Sequence, residues 1–193
     1  MATETSNKII FQKVRCSYVF IDKPRKKENG DNGNYSLQVL LPKNDPQVKK
    51  LQRIVDNVLK AKFGEAALKK KARYKLPLRD GDEERDTEEY EGMFFLNANS
   101  GRRPGIVNKA NEPADADDLE EYGYSGANFH VSCNVYAFDA KDGGKPGVAI
   151  GLNNVMLHSK GERLDGTTSA TSDFSDFAEE GGSDMDDFDE DDI

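Results

Sequence analysis

The clearest helical period in the chain belongs to DPQVKKLQRIVDNVLKAKFG, residues 45–64. Its apolar side chains recur at steps of three and four residues and form a single stripe, which predicts an amphipathic helix. Asp45 suits the N-cap, Pro46 suits the first turn, and Gly64 can end the helix. The apolar face of this helix is therefore expected to pack against a layer formed by the rest of the chain.

The sequence on both sides of the helix has the two-residue period of β-strands. Residues 8–21 and 35–41 predict a hairpin whose long basic tip is residues 22–34. After the helix, a second short helical stretch is predicted at residues 65–72, and strands at 75–78, 93–98, 105–108, 127–139 and 147–158. Two acidic segments, residues 80–91 and 112–121, are predicted to be solvated loops.

Short strands, Gly-rich turns and one clear helix between early and late strands are typical of a small β-barrel with an inserted helix. The prediction is a mainly β protein, an OB-fold-like five-stranded barrel with its helix at about residues 45–63. A β-sandwich and an SH3-like barrel fit the same pattern and stay open as alternatives.

Charge divides the chain into two parts. The net charge is -9, but residues 164–193 contain twelve acids and no Lys or Arg. Residues 1–163 therefore contain 27 basic and 24 acidic side chains, a net charge of +3. We predict a binding domain at 1–163 and a disordered acidic tail at 164–193, because the tail has too few aliphatic residues to offset its ordering entropy. Such asymmetry points to polyanion binding.

Signatures of enzymes and metal sites are missing from the sequence. It has two His and no CxxC, HExxH, P-loop or GxGxxG spacing, so we expect a protein without catalytic activity, metal or cofactor. Cys16 and Cys133 lie in strand patterns and are predicted to be buried thiols rather than a disulfide. There is no run of about 20 apolar residues and no secretory signal pattern, so a cytoplasmic location is expected.

Proteins that bind single strands without sequence preference combine cations for the phosphates with aromatic rings for the bases. The DNA-binding candidates of these two kinds are Phe11, Lys13, Arg15, Lys23, Arg25, Lys26, Lys27, Tyr35, Tyr74, Lys75, Arg79, Arg102, Arg103, Tyr124 and Tyr136. Each ring has core packing as its alternative, since Tyr and Phe in strands commonly pack there. The loop cations are preferred over the lysines of the helix, which form its wet face.

The acidic tail carries apolar side chains at intervals among its carboxylates. This arrangement suits docking into a basic pocket of a partner or into a cationic groove of the body, whereas the alternative is a plain solubility tail. The predicted partner-binding residues are Phe174, Phe177, Asp186, Asp187, Phe188, Asp191, Asp192 and Ile193.

Four segments resemble a phage protein family: YSGANFHVSCNVYAFD (124–139), KPGVAIGLNNVMLHSKGERLDG (145–166), LPLRDGDE (76–83) and FFLNANSGRRPGIVN (94–108). Members of this family, once classified as a domain of unknown function, are single-stranded DNA-binding proteins with an OB fold, related to the gene 2.5 type protein of podoviruses. The resemblance covers nearly the whole body, and it is the combination of GLNNV, YSG and LRDGD that is specific.

The resemblance implies that the barrel holds the DNA strand, and that the tail recruits a polymerase, helicase or primase and competes with DNA. Arg79, Arg102 and Arg103 are carried over as contacts, and residues 151–155, which match GLNNV, are expected to be structural. Podovirus tails end in Phe, whereas this chain ends in Ile193.

The resulting hypothesis is a sequence-nonspecific single-stranded DNA-binding protein of phage replication, recombination or repair, acting in the cytoplasm of an infected bacterium. Homodimerisation is left open. One alternative is an RNA-binding OB protein, which would recognise the 2'-hydroxyl. Another is a DNA mimic or scaffolding protein that acts through its acidic surface.

Overall fold

Five strands close into a barrel in the computed structural model, which describes residues 7–166 together with Phe174 and Phe177. The elements in chain order are β1 (Lys8–Phe20), β2 (Tyr35–Pro42), α1 (Pro46–Phe63), a 3-10 helix (Glu65–Arg73), β3 (Arg79–Asp80), α2 (Gly81–Glu84), a second 3-10 helix (Glu88–Tyr90), β4 (Met93–Ser100), β5 (Gly105–Val107), α3 (Ala116–Tyr122), β6 (Asn128–Phe138) and β7 (Gly147–Ser159).

The barrel strands follow the order β4, β2, β1, β6, β7, and the neighbours in this series are antiparallel. A parallel pairing of β4 with β7 closes the ring, with Ala98 opposite Ile150 and Asn99 opposite Gly151. The short strands β3 and β5 add to the edges of β4 and β7. The predicted OB-like five-stranded barrel is confirmed.

A bulge in β1 sets which of its side chains enter the barrel. The pairing of β1 with β6 shifts between Phe11 and Val14, and Lys13 in the bulge has a φ of 51°. An extra residue in one strand reverses the alternation of inward and outward side chains. Phe11 and Val14 are therefore both buried. Phe11, predicted as a DNA-binding residue, is therefore a core side chain and not available to stack on a base.

Helix α1 has the predicted bounds. The side chain of Asp45 accepts a hydrogen bond from the backbone N–H of Gln47 at 2.8 Å, and Gly64, with a φ of 83°, ends the helix. Its apolar stripe, Val48, Leu51, Ile54, Val55, Val58 and Leu59, is buried in the barrel core. The basic face of α1 stays in solvent, as predicted.

Three sequence predictions about local structure are wrong. The strand predicted at residues 75–78 is a single bridge from Lys75 to Gly147, and β3 begins only at Arg79. The two acidic segments predicted as loops contain α2, a 3-10 helix and α3. Acidic side chains cap free N–H groups at helix starts, and in α3 Asp115 and Asp118 form a capping box.

Both cysteines are free and buried, as predicted. Burial raises the pKa of Cys133 to about 12. Burial, and after it the neighbouring Cys133, raises the pKa of Cys16 well above its ordinary value. Neither supplies a thiolate nucleophile near neutral pH. In the part of the chain that the structure describes, no helix is both long and apolar enough to cross a bilayer.

The body continues beyond the predicted domain boundary by at least one residue. Leu164, predicted as the first residue of the tail, donates its backbone N–H to the carbonyl of Ser125 at 2.8 Å. Its side chain packs against a small apolar cluster of Leu40, Tyr90 and Phe95. The disorder predicted for the tail falls almost entirely outside the described residues.

Candidate nucleic-acid interface

The outer face of β2 and β4 is covered at one end and open at the other. Toward one end, Leu40 and Phe95 are covered by Tyr90 of the second 3-10 helix. Toward the other end, Asn97 and Asn99 project into solvent from β4. The open end is therefore polar, although its strands belong to the barrel.

Two clefts meet at this open end and share Asn99. The first, of about 710 Å³, lies between residues 75–79, β4 and the adjoining ends of β6 and β7. The second, of about 540 Å³, lies between loop 22–34 and Ser36. We call the two together the groove. Its predicted members are Lys75, Arg79 and Tyr136 in the first cleft and Arg25, Lys26 and Lys27 in the second.

The first cleft forms because one edge of β4 pairs with β3 along one part of its length and with β7 along another. Phe95 of β4 pairs with Arg79 of β3, whereas Ala98 pairs with Ile150 of β7. Residues 75–79 cross the gap between these two pairings, and Lys75 bridges to Gly147 at the start of β7. This segment contains Lys75 and Arg79, so it places two cations at the barrel surface.

Backbone hydrogen bonds shape the basic loop of the second cleft. The N–H of Arg25 donates to the carbonyl of Asn34 at 3.1 Å, and the N–H of Lys27 donates to the carbonyl of Asp31 at 2.9 Å. The side chains of Arg25, Lys26 and Lys27 are exposed, and none forms an ion pair with a described residue. These three charges are therefore available to an anionic ligand.

Arg79 is held against the wall of the first cleft. Its guanidinium lies over the ring of Phe95, 4.9 Å from the centroid, and its Nε donates to Oε2 of Glu84 at 2.7 Å. Arg85 stacks on the same Phe95 ring at 5.2 Å. A phosphate in this cleft would have to compete with Glu84 for Arg79.

Part of the acidic charge near Arg79 is neutralised. Nζ of Lys43 lies 2.5 Å from Oδ1 of Asp80 and 2.7 Å from Oδ2 of Asp82. Hydrogen bonding to Asp80, and after it to Asp82, raises the pKa of Lys43, and the bond to Lys43 lowers the pKa of Asp82. Asp80 and Asp82 therefore repel an anion in the first cleft less than two unpaired carboxylates would.

Tyr136 presents its ring to the first cleft. Its side chain is 50% exposed, and an added Cβ at Gly151 would lie 3.5 Å from a carbon of its ring. Gly151, the first residue of the GLNNV match, leaves space beside the ring. An exposed tyrosine close to Lys75 and Arg79 combines the aromatic face and cations that suit a nucleotide.

Lys23 and Arg103 line a different cleft. Asp22, Asp115 and Glu120 share it, and Nη2 of Arg103 donates to Oδ1 of Asp22 at 2.8 Å. The carboxylates offset both cations, so this cleft is less suited to a polyanion. The structure does not bring Lys23 and Arg103 into the groove.

Two of the predicted tyrosines have contacts within the body. The ring of Tyr74 packs on Phe63 with 4.9 Å between centroids. The hydroxyl of Tyr124 donates to the carbonyl of Gly161 at 2.9 Å, and the guanidinium of Arg163 lies 4.3 Å from the centroid of its ring. Neither lines the groove.

Five further predicted residues also lie outside the groove. Phe11 is in the core, and Arg15 donates from Nη2 to the carbonyl of Glu162 at 3.0 Å. The remaining three are Lys13, exposed in the β1 bulge, Tyr35, half-buried at the start of β2, and Arg102, exposed in the turn after β4.

The sequence prediction missed Asn97 and Asn99 because it selected only cations and aromatic rings. The usable signal was the alternation in FFLNANS, where Leu96 and Ala98 point inward and the asparagines outward. Oδ1 of Asn97 accepts from Nε2 of the buried Gln38 at 2.9 Å, and Oε1 of Gln38 accepts from the hydroxyl of Tyr90. This chain of hydrogen bonds orients one carboxamide at the groove floor.

Of the predicted tail residues, Phe174 and Phe177 are exposed. The other six, Asp186, Asp187, Phe188, Asp191, Asp192 and Ile193, lie outside the described residues. Among the residues that the structure describes, no group of three or more His, Cys, Asp or Glu is placed to hold a metal ion.

The family is decided by a match over almost the whole chain. Residues 7–188 match the model of the single-stranded DNA-binding protein of Enterobacter phage Enc34. The chain belongs to the Enc34 single-stranded DNA-binding protein family. The family suggested by the four sequence segments is thereby confirmed, and no curated protein sequence matches the chain at a significant level.

Solved structures share the fold of this Enc34 family member. The single-stranded DNA-binding protein from bacteriophage Enc34 is 23% identical, with a TM-score of 0.67 over 89% of this chain and 91% of that one. The same protein in complex with ssDNA is 24% identical, with a TM-score of 0.65 over 83% and 90%. The single-stranded DNA-binding protein gp2.5 of bacteriophage T7 is 16% identical, with a TM-score of 0.57 over 91% and 97%.

Proposed function

We propose that this protein binds single-stranded DNA in the groove, with little sequence preference. The observation that carries the proposal is the continuity of the two clefts at Asn99, which joins Tyr136, Lys75 and Arg79 to the three cations of loop 22–34. Phosphates would contact the cations, and a base would stack on Tyr136. Family membership supports the same ligand.

The exposed ring favours a single strand over a duplex. A base in a duplex already stacks on its neighbours, and taking it out of the stack costs a few kcal/mol. An unpaired base reaches Tyr136 without that cost. Stacking is tolerant of sequence because every base has a π-face.

The proposal can be tested by fluorescence anisotropy with labelled oligo(dT), a duplex of equal length and oligo(U). We expect the single DNA strand to bind most tightly, with log K falling linearly as log salt rises. Equal affinity for the duplex, or no binding at low salt, would contradict the proposal. Stronger binding of oligo(U) would make RNA the ligand.

Replacing Tyr136 with Ala is expected to weaken oligo(dT) binding about tenfold. The lost stack is worth about 1–3 kcal/mol. The salt slope should stay unchanged, because no cation is removed. Tyr18→Ala is the matched control, since Tyr18 is 53% exposed and does not line the groove. An equal loss in both variants would rule out a specific role for Tyr136.

We further propose that the protein acts as a non-catalytic coat of single strands in phage replication or recombination, in the cytoplasm of the infected bacterium. Its tail would compete with DNA for the groove and recruit a polymerase, helicase or primase. Composition supports this role, because residues 167–193 contain eleven acids, three Phe and no cation. An anionic segment of this kind suits a cationic groove.

Deleting residues 167–193 is expected to tighten oligo(dT) binding about tenfold at about 50 mM salt, with little effect at about 1 M, where charge attraction is screened. Anisotropy titrations across the salt range measure the effect. A full-length variant with the eleven acids changed to Asn or Gln should behave like the deletion. If it behaves like the natural chain, tail charge does not compete with DNA.

A further inference from the structure

A third cleft, of about 350 Å³, lies on the outer surface of β6 and β7, beyond the groove. It is lined by Ile10, Gln12, Val107, His130, Ser132, Asn154, Val155 and Met156. We call it the Ile10 cleft. Its volume is at the lower end of the ~300–1,000 Å³ typical of ligand sites. None of the predicted DNA-binding residues lines it.

The Ile10 cleft has an apolar centre and one unsatisfied polar atom. Ile10 is 47% exposed, which is unusual for an isoleucine in a strand whose neighbours are buried. Oγ of Ser132 is buried and has no hydrogen-bond partner among the described residues. Buried polar groups are normally hydrogen-bonded, so Ser132 is suited to a ligand that brings a donor or acceptor.

Two lysines lie next to lining residues of the cleft along the chain, Lys13 directly after Gln12 and Lys109 two residues after Val107. The rings of His130 and His158 meet edge to face, with 5.0 Å between centroids. Burial, and after it His130, Lys13 and Lys109, lowers the pKa of His158. Lys13 and Lys109 are exposed and form no ion pair with a described residue. Both lysines would attract an anionic ligand.

The Ile10 cleft and the groove lie on the same strand pair. Along β6, Tyr136, Asn134, Ser132 and His130 face outward at two-residue steps. A strand rises about 3.3 Å per residue, which puts Ser132 about 13 Å and His130 about 20 Å from Tyr136 along β6.

The strip between the two sites is open, and the exposed Lys8 of β1 borders it opposite Asn134. On β7, Gly151 lies opposite Asn134, and Asn154 lies opposite Ser132. These two residues belong to the GLNNV match, which was expected to be mainly structural. Gly151 has no side chain to obstruct a ligand, and Asn154 lines the Ile10 cleft itself.

We propose that the Ile10 cleft binds a nucleobase of the same DNA strand that occupies the groove, while Lys13 and Lys109 contact the neighbouring phosphates. The inference rests on the proposed function. A distance of about 13–20 Å corresponds to about four to six nucleotides at a stacked rise of ~3.4 Å. Such a path fits within the ~4–16 nucleotides that single OB folds cover.

A base suits this cleft better than a Phe of the acidic tail does. Both bring an aromatic ring flanked by negative charge. Only a base has polar atoms on the ring itself, which can pair with Ser132, Asn154 and His130 in the lining of the cleft. The strip through Gly151 also leads directly from Tyr136, where the strand is proposed to lie.

The two histidines of the chain make the proposal testable by NMR, because only their imidazole signals need to be followed. The full chain is titrated with oligo(dT) of about 4 and of about 16 nucleotides, the two ends of the OB site-size range. We expect the longer strand to shift both imidazole signals. The shorter strand should bind in the groove and leave them nearly unchanged.

Ile10→Glu places a negative charge in the cleft at an exposed position. It should weaken binding of the long oligonucleotide about tenfold and leave binding of the short one unaffected. Asn57→Glu is the control, because it adds the same charge on the exposed face of α1. Circular dichroism confirms that both variants fold.

The outcomes separate this inference from the proposed function. If the long strand binds but the histidine signals and Ile10→Glu affinity do not change, the Ile10 cleft is not part of the path, although the groove is. If neither strand binds, the proposed function itself fails. If deletion of residues 167–193 shifts the histidine signals without DNA, the tail occupies the cleft and the inference is overturned.

Discussion

Changing Arg25, Lys26 and Lys27 together to Gln is expected to lower the affinity for oligo(dT) by roughly two to three powers of ten at about 50 mM salt. Each phosphate contact on a single strand contributes about 0.7 to the slope of log K against log salt, so the slope should fall by about 2. The two binding curves should converge near 1 M salt, where counterion release no longer favours binding.

The fold of the loop should survive this change, since its turns are made by backbone hydrogen bonds such as that from the N–H of Gly33 to the carbonyl of Arg25 at 2.7 Å. The control is a variant with Lys49, Lys50 and Arg53 changed to Gln, which removes three charges from the exposed face of α1. Anisotropy across the salt range should separate the two triple variants. Identical slopes would mean that net charge, rather than this loop, attracts the DNA.

Gly126→Ala is expected to destabilise the fold by about 3–5 kcal/mol, among the largest effects of a single substitution. Gly126 has a φ of 110°, a conformation that L side chains rarely adopt, and its N–H donates to the carbonyl of Cys16 at 2.7 Å. An added Cβ would overlap the carbonyl oxygen of Glu162. The backbone after β7 passes too close to the start of β6 to admit it.

Urea unfolding followed by circular dichroism measures this loss. Gly143→Ala is the matched control: its φ of 78° is also positive, but an added Cβ meets nothing within 4 Å. It should cost only about 1–2 kcal/mol, from backbone strain alone. If both variants lose the same stability, the contact between Gly126 and Glu162 does not constrain the fold. Gly126 belongs to the YSG segment of the family resemblance, and this contact gives that glycine a physical role.

The helix and the long strands could be read from the sequence because their side chains repeat with a local period. The stripe of α1 and the alternation in β6 each reflect one buried face. The same reasoning failed at Phe11, since the bulge at Lys13 reverses the alternation, and a bulge depends on the partner strand. It also failed in the acidic segments, where caps rather than apolar stripes begin the helices.

The candidate site was recognised only in part for a related reason. Residue type identified cations and rings, and six of the fifteen candidates line the groove. Lys23 and Arg103 have the same chemistry but share their cleft with carboxylates. Asn97 and Asn99 were passed over because a carboxamide has neither charge nor ring, and its position on a groove floor appears only in three dimensions.

The sequence alone established the division into a +3 body and an acidic tail, the amphipathic helix, the mainly β class and the family resemblance. These properties depend on composition, local period and short motifs. The folded chain was needed to show that Lys75, Arg79 and Tyr136 share one cleft, that loop 22–34 joins it at Asn99, and that Phe11 is in the core. The reason is that the β4–β7 closure and the β1 bulge arise from pairing between strands distant in sequence, which a local period does not encode.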